Sequence, residues 1–129
     1  LLVMGKNLSF LAPETSFSRR SQLTNISLKM FQDRPLTGVG LNNFTVVMDR
    51  YGYVPAATRF LQPVHNIYLL ILSETGLIGT LGFLYLILQG LSLKAFKERP
   101  LWILLFLGLF DHYPLTLQTG LLLFILTLY

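Results

Sequence analysis

The sequence has no cysteine. Disulfides and thiolate metal sites are therefore excluded, and nothing in it marks a redox compartment. It has only two histidines, His65 and His112. They stand far apart in the chain, so no zinc site is expected without ligands from elsewhere. No cofactor is expected either. Acids are scarce, six against ten lysines and arginines. The imbalance lies early, where Lys6, Arg19, Arg20, Lys29, Arg34, Arg50 and Arg59 face only Glu14, Asp33 and Asp49. Arginines scattered in this way suit lipid headgroups or phosphate. They form no dense tract, and beside the apolar blocks described next they make nucleic acid the poor choice of partner. No charged leader with a small-residue cleavage site opens the chain, so no signal peptide is expected.

What the chain does have is apolar sequence, unevenly spread. About half of its residues, 53%, are apolar. The first sixty or so are mixed, with polar turns. From Gly76 onward the chain is nearly all Leu, Ile, Phe, Gly and Tyr, with one charged interruption. Two such blocks predict membrane helices. The expected class is all-α, a polytopic membrane protein. Both ends, LLVMG and LLLFILTLY, read as helices cut through, so the chain is expected to be a piece of a larger protein.

The expected order is as follows. Residues 1–11 are the end of a membrane or interfacial helix. Residues 12–75 form a long extracytoplasmic loop with short helices. Residues 76–93 cross the membrane, close to the minimum of about 17–25 residues. Residues 94–100 form a turn whose Lys94, Lys97 and Arg99 outweigh Glu98, which places it in the cytoplasm. Residues 101–129 are two short or truncated membrane helices around a break at 111–114, where Pro114 interrupts the run. If the basic turn is inside, then His65, Asp111 and His112 lie at the outer face.

Within the loop, Arg20 to Gln32 predicts a helix with Leu23, Ile26 and Met30 on one face. It ends before Pro35. It either lies on a membrane surface or packs on the bundle. RPLTGVGLNNF follows, Arg34 to Phe44. Gly38 and Gly40 allow a tight turn there, and exposed amides could form a small anion nest. It is neither a Walker loop nor a dinucleotide fingerprint. A short helix, Phe44 to Tyr51, comes next. His65 to Thr75 predicts another helix, and Gly76, Gly79 and Gly82 offer a bend or a small-residue packing face. His65 has a suitable pKa range for proton transfer. It is also explained as an ordinary helix-start residue, Arg20 as a headgroup-binding arginine, and Asp111 and His112 as loop residues in water.

Three pieces carry a resemblance. RSQLTNISLKMFQDRPLTGVGLNNF, Arg20 to Phe44, is similar to an arginine helix followed by P-L-x-G-x-G and a phenylalanine. HNIYLLILSETGLIG, His65 to Gly79, is similar to H-N-x-Y-L followed by E-x-G-x-x-G. The third is the hydropathy order of large external loop, span, short basic turn and span. Together they cover most of the chain. The sequence resembles the O-antigen ligase and polysaccharide polymerase family of bacterial membrane glycosyltransferases. Thr24 departs from it, standing where relatives often have tryptophan. Arg20 rather than Arg19 is aligned with the family arginine, by its distance to Pro35.

The resemblance implies a multi-pass protein of the bacterial cytoplasmic membrane, with its active site facing the periplasm or cell exterior. The implied donor is a polyprenyl-diphosphate-linked glycan. The implied acceptor is a hydroxyl of lipid A-core or of a growing glycan. No metal is implied. The catalytic residues expected on this basis are His65, to take the acceptor proton, and Arg20, to hold the diphosphate. Arg19, Arg34, Gly38, Gly40, Arg59, Asn66, Glu74, Asp111 and His112 are expected to bind substrate. Glu74 lies nine residues beyond His65, too far along a straight helix to touch it. Two other classes stay open: a transporter or flippase for such lipids, and a structural membrane subunit. Tolerance of alanine at both Arg20 and His65 with loss of complex formation would point to the subunit.

Overall fold

The computed structural model describes residues 16–52, 61–90 and 101–128. The first helix end, Arg59 and the basic turn at 94–100 lie outside the described residues. Six helices occur among those described. They are α1 (Ser16–Asp33), α2 (Phe44–Val47), α3 (Ile67–Gly90), α4 (Leu101–Leu107), α5 (Tyr113–Thr116) and α6 (Gln118–Leu128), with a 3₁₀ turn at Met48–Arg50. There is no strand among the described residues. The all-α expectation holds at that level. α3 alone among them, over Ile67–Gln89, is long and apolar enough to cross a membrane.

α1 packs on the bundle. Its Leu23, Ile26 and Met30, spaced for one helical face, are buried with Phe44, Met48, Val64 and Leu70. Burying each of these large side chains stabilises by about 1.5–3 kcal/mol. Ser27 lies on the same stripe and is also buried; its hydroxyl donates to the Leu69 carbonyl at 3.2 Å. The 3₁₀ turn is tied back to α1. Tyr51 donates its hydroxyl proton to Asp33 at 2.7 Å, and Lys29 Nζ donates to the Tyr51 carbonyl at 3.0 Å.

The expected helix from His65 and the expected span from Gly76 are the two segments of α3, which meet at a kink at Gly76. That residue has φ 62° and ψ −163° inside the helix. A left-handed φ is open to glycine and strained for other residues. The bend frees backbone groups on both sides of it, and free groups away from water need partners. The loop after α1 supplies them. Leu77 and Ile78 donate their N–H groups to the carbonyls of Pro35 and Leu36 at 2.8 and 3.2 Å. In return, Val39 and Gly40 donate to the carbonyls of Ser73 and Glu74 at 3.0 and 2.8 Å. The approach requires glycine on both partners. A Cβ on Gly38 would stand 2.3 Å from the Glu74 carbonyl carbon, and one on Gly76 would stand 2.4 Å from that of Leu36.

Of the three glycines expected to form a packing face, only Gly76 meets another element. A Cβ on Gly79 would meet Thr75 of its own helix, and one on Gly82 meets nothing within 4 Å among the described residues. Beyond the bend a smaller cluster forms around Ile87, Leu101 and Phe124. The Phe83 and Phe124 rings stack there at 5.8 Å. The apolar run from Leu101 stops as a helix at Leu107, and Pro114 sits in the first turn of α5.

Candidate active site

The start of α3 and the turn after α4 are fastened together by backbone carbonyls. Asn66 precedes the first residue of α3, and its Oδ1 accepts the N–H groups of Tyr68 and Leu69, each at 3.0 Å. This is an N-cap, which satisfies donors that the first helical turn leaves orphaned. The other end of the same amide, Nδ2, donates to the Leu109 carbonyl at 3.0 Å. Ile67 N donates to the Gly108 carbonyl at 2.8 Å, and the Tyr68 hydroxyl donates to the Leu105 carbonyl at 2.9 Å. Gly108 is required at this contact, because a Cβ would stand 2.3 Å from Cδ1 of Ile67. The Asn and Tyr of H-N-x-Y thus hold the 105–109 turn against the start of α3. Asp111 and His112 are thereby delivered to His65.

The result is a three-membered polar cluster. His65 Nδ1 lies 3.5 Å and His112 Nε2 lies 3.9 Å from Asp111 Oδ1. The two imidazole centroids are 5.1 Å apart. Folding closes the gap that the sequence leaves between the two histidines, which were expected at the same outer face. Asp111 Oδ1 also accepts the N–H of His112 at 2.7 Å, which fixes the carboxylate. His112 is buried, and its Nδ1 lies 2.7 Å from the Thr116 hydroxyl oxygen. Burial lowers the His112 pKa below its ordinary value. Asp111 opposes that shift, and His65 adds to it. His112 is accordingly neutral at pH 7.

Arg20 reaches the same place from α1. Its Nη1 is 3.5 Å from the Phe110 carbonyl, next to Asp111 in the chain. Arg20 and Asp111 line one cavity of about 490 Å³, whose walls include Leu104, Leu107, Phe110 and Leu123. A guanidinium and a carboxylate therefore line a largely apolar cavity, with Tyr113 and Thr119 also in its walls. His65 stands behind the carboxylate. An imidazole whose Nδ1 faces a carboxylate has its Nε2 left as the basic nitrogen, the arrangement in which a histidine takes a proton from a hydroxyl.

The structure brings Arg20, His65, Asp111 and His112 together, with Asn66 as the fastener. Arg19 is the half-buried neighbour of Arg20 on α1. Arg34 is elsewhere, exposed and 3.9 Å from Asp33. Glu74 sits at the far end of the first α3 segment, about 13 Å along the axis from His65. It is buried, and its two carboxylate oxygens accept the N–H groups of Asn42 and Phe44, each at 3.0 Å. The amides once offered to an anion are also used internally. Gly38 N donates to the Arg34 carbonyl at 2.9 Å, and Gly40 N donates to that of Glu74. Gly38, Gly40 and Glu74 therefore serve the docking of loop on helix in this structure.

Sequence reasoning missed Thr116, Tyr68 and Gly108 as parts of the site. Tyr68 stood inside a quoted motif and had a signal. Thr116 and Gly108 had none, since their partners are a distant ring and a distant backbone.

The family model of O-antigen ligase matches residues 5–84 of the chain. The match includes Arg20, the P-L-T-G-V-G loop, H-N-I-Y-L and the bend at Gly76, and it stops short of Asp111 and His112. No curated protein and no solved structure matches.

Proposed function

With more than half of its length matched, the chain belongs to the O-antigen ligase family, and on that premise we propose that it transfers a glycan from a polyprenyl-diphosphate carrier to a sugar hydroxyl at the outer face of the bacterial cytoplasmic membrane. The family is one of glycan-transferring membrane enzymes. The observation that carries the finer reading is the shared cavity of Arg20 and Asp111, with His65 Nδ1 3.5 Å from Asp111 Oδ1. Apolar walls suit a lipid-linked donor, and a guanidinium in the lining suits its diphosphate.

In the proposed reaction the acceptor hydroxyl oxygen attacks the anomeric carbon of the donor glycan. The bond from that carbon to the diphosphate oxygen breaks, and polyprenyl diphosphate leaves with the bonding pair. Arg20 binds the charge that develops on it. His65 takes the acceptor proton at Nε2, and Asp111 orients the ring through Nδ1 and stabilises the imidazolium. The leaving group arrives already activated on the lipid. The reaction therefore needs no nucleotide sugar, and an arginine in place of a metal can neutralise the diphosphate. Lipid A-core or a growing glycan is the acceptor.

The test uses the full-length protein reconstituted with a polyprenyl-diphosphate glycan, a panel of acceptors and a chelator. His65→Ala is expected to slow transfer by about 10²–10⁴-fold. Arg20→Ala should abolish release of polyprenyl diphosphate. Intact transfer by His65→Ala would remove it from the role of base. Lipid binding that weakens on loss of Arg20, with no acceptor ever glycosylated, would favour a transporter.

A further inference from the structure

The cluster of His65, Asp111 and His112 has a second chemistry, and the hydrogen bonds around His112 expose it. The Thr116 hydroxyl has one proton, and it lies 3.2 Å from the His112 carbonyl, to which it donates. Thr116 Oγ1 also lies 2.7 Å from His112 Nδ1, so that ring nitrogen is already partnered. Nε2 is the ring nitrogen left over. It is buried and makes no hydrogen bond among the described residues. It lies 3.9 Å from Asp111 Oδ1. His65 Nδ1 is likewise buried without a hydrogen bond, although it lies 3.5 Å from the same oxygen. Two ring nitrogens without a hydrogen bond among the described residues thus face one carboxylate oxygen.

A divalent cation placed among these atoms would take all three as ligands, with both ring nitrogens deprotonated. The donor atoms of all three residues lie within 4.8 Å of one another. Ligands on a tetrahedral zinc ion stand about 3.3 Å apart, from bonds of about 2.0–2.1 Å. The two distances to Asp111, 3.5 and 3.9 Å, are near that value. Two imidazoles and one carboxylate select a first-row transition ion over magnesium or calcium, which prefer oxygen ligands. The bond from His112 Nδ1 to Thr116 is the outer contact that orients a metal-binding histidine. His112 has 5% of its side chain exposed, so its lone pair is not spent on bulk water.

We infer that His65, Asp111 and His112 form a site for one divalent transition-metal ion, of which Zn²⁺ is the best fit, and that its occupancy stops glycan transfer. The second half rests on the role given to His65 above. A metal on Nδ1 leaves the ring proton on Nε2, so that nitrogen can no longer accept the acceptor's proton. It also takes Asp111 away from the imidazole. The ion is an inhibitor of the transferase and no part of its reaction.

The experiment titrates Zn²⁺ into the metal-stripped full-length protein in detergent, using a chromogenic chelator as competitor. One equivalent is expected to bind, and His112→Ala should weaken it at least tenfold. Co²⁺ bound to the wild-type protein should show visible absorption of low-symmetry, imidazole-containing coordination, a readout that needs no variant. In the transfer assay Zn²⁺ should inhibit over the same concentration range, and chelator should restore the rate. Absence of stoichiometric binding to wild type, or binding unchanged in His112→Ala and in Asp111→Asn, would overturn the site. Stoichiometric binding that leaves transfer untouched would keep the site but overturn both the inhibition and the assignment of His65 as the base.

Discussion

The segments of α3 before and after Gly76 are both apolar, yet their surroundings differ. Before the bend, Ile67, Leu70, Ser73 and Glu74 are buried against α1, the glycine loop and the turn after α4. After it, Leu77, Ile78, Leu81, Leu84, Leu86 and Leu88 are all exposed. In water an exposed stripe of this extent would be an aggregation hazard; against hydrocarbon it is a lipid-facing surface. The first segment is held by directional hydrogen bonds and glycine contacts. The second is held by a few apolar contacts, leaving most of its surface exposed. The difference separates a segment locked by its neighbours from one that is not.

The largest expected effect tests the bend. Gly76→Val places a branched side chain at φ 62° and against the Leu36 backbone. A loss of about 3–5 kcal/mol is expected, the range of severe single substitutions. Gly82→Val, on the same helix but in open space, should stay within about 0.5 kcal/mol. Thermal unfolding of the two variants in one detergent compares them directly, and equal losses would contradict the division made here.

A smaller effect is expected at Glu74. Glu74→Ala leaves the N–H groups of Asn42 and Phe44 without their acceptor, at about 1–3 kcal/mol for each donor left buried and unpaired. Glu74→Gln keeps one carbonyl acceptor and should lose roughly half as much. Limited proteolysis across residues 34–44 is the readout, with faster cleavage in the alanine variant. If Glu74→Ala abolished transfer while cleavage stayed slow, Glu74 would have a direct part in the reaction.

The smallest effect concerns the fastener of the site. Asn66→Ala removes the cap of α3 and the bond to the Leu109 carbonyl. The cap alone accounts for about 1 kcal/mol. Transfer should fall by roughly tenfold or more through misplacement of Asp111. The fall should appear in kcat rather than KM, because the diphosphate contact at Arg20 is untouched. A change confined to KM would instead make Asn66 a direct substrate ligand.

Much of the helical order was legible in the sequence. The apolar spacing of Leu23, Ile26 and Met30 gave the buried face of α1, because burial and helical period impose the same pattern. Pro35 marked the end of α1, because a proline acts on its own neighbours; Pro114 does not stop α4, which ends at Leu107, but sits in the first turn of α5. Arg20 and His65 stood out in motifs as candidates. What could not be read was the partnering. Glu74 could be read as structural or as facing the acceptor, and its partners became visible only once the loop at 42–44 was beside it. Gly38 and Gly40 looked like an anion cradle, since a glycine turn with free amides and one with amides docked on a helix have the same sequence. The meeting of His65 with Asp111 and His112 depends on backbone carbonyls at 105, 108 and 109, and carbonyls leave no trace in a list of side chains.

The reciprocal fit of Gly38 and Gly76 also bears on how this protein can be re-engineered. Each glycine leaves room for the main chain of the other's segment, so the P-L-T-G-V-G loop and the E-T-G step are two halves of one joint. A chimera that takes the helix from one relative and the loop from another divides that joint. Any segment moved between relatives should therefore carry Gly38 and Gly76 together with the main chain each one meets.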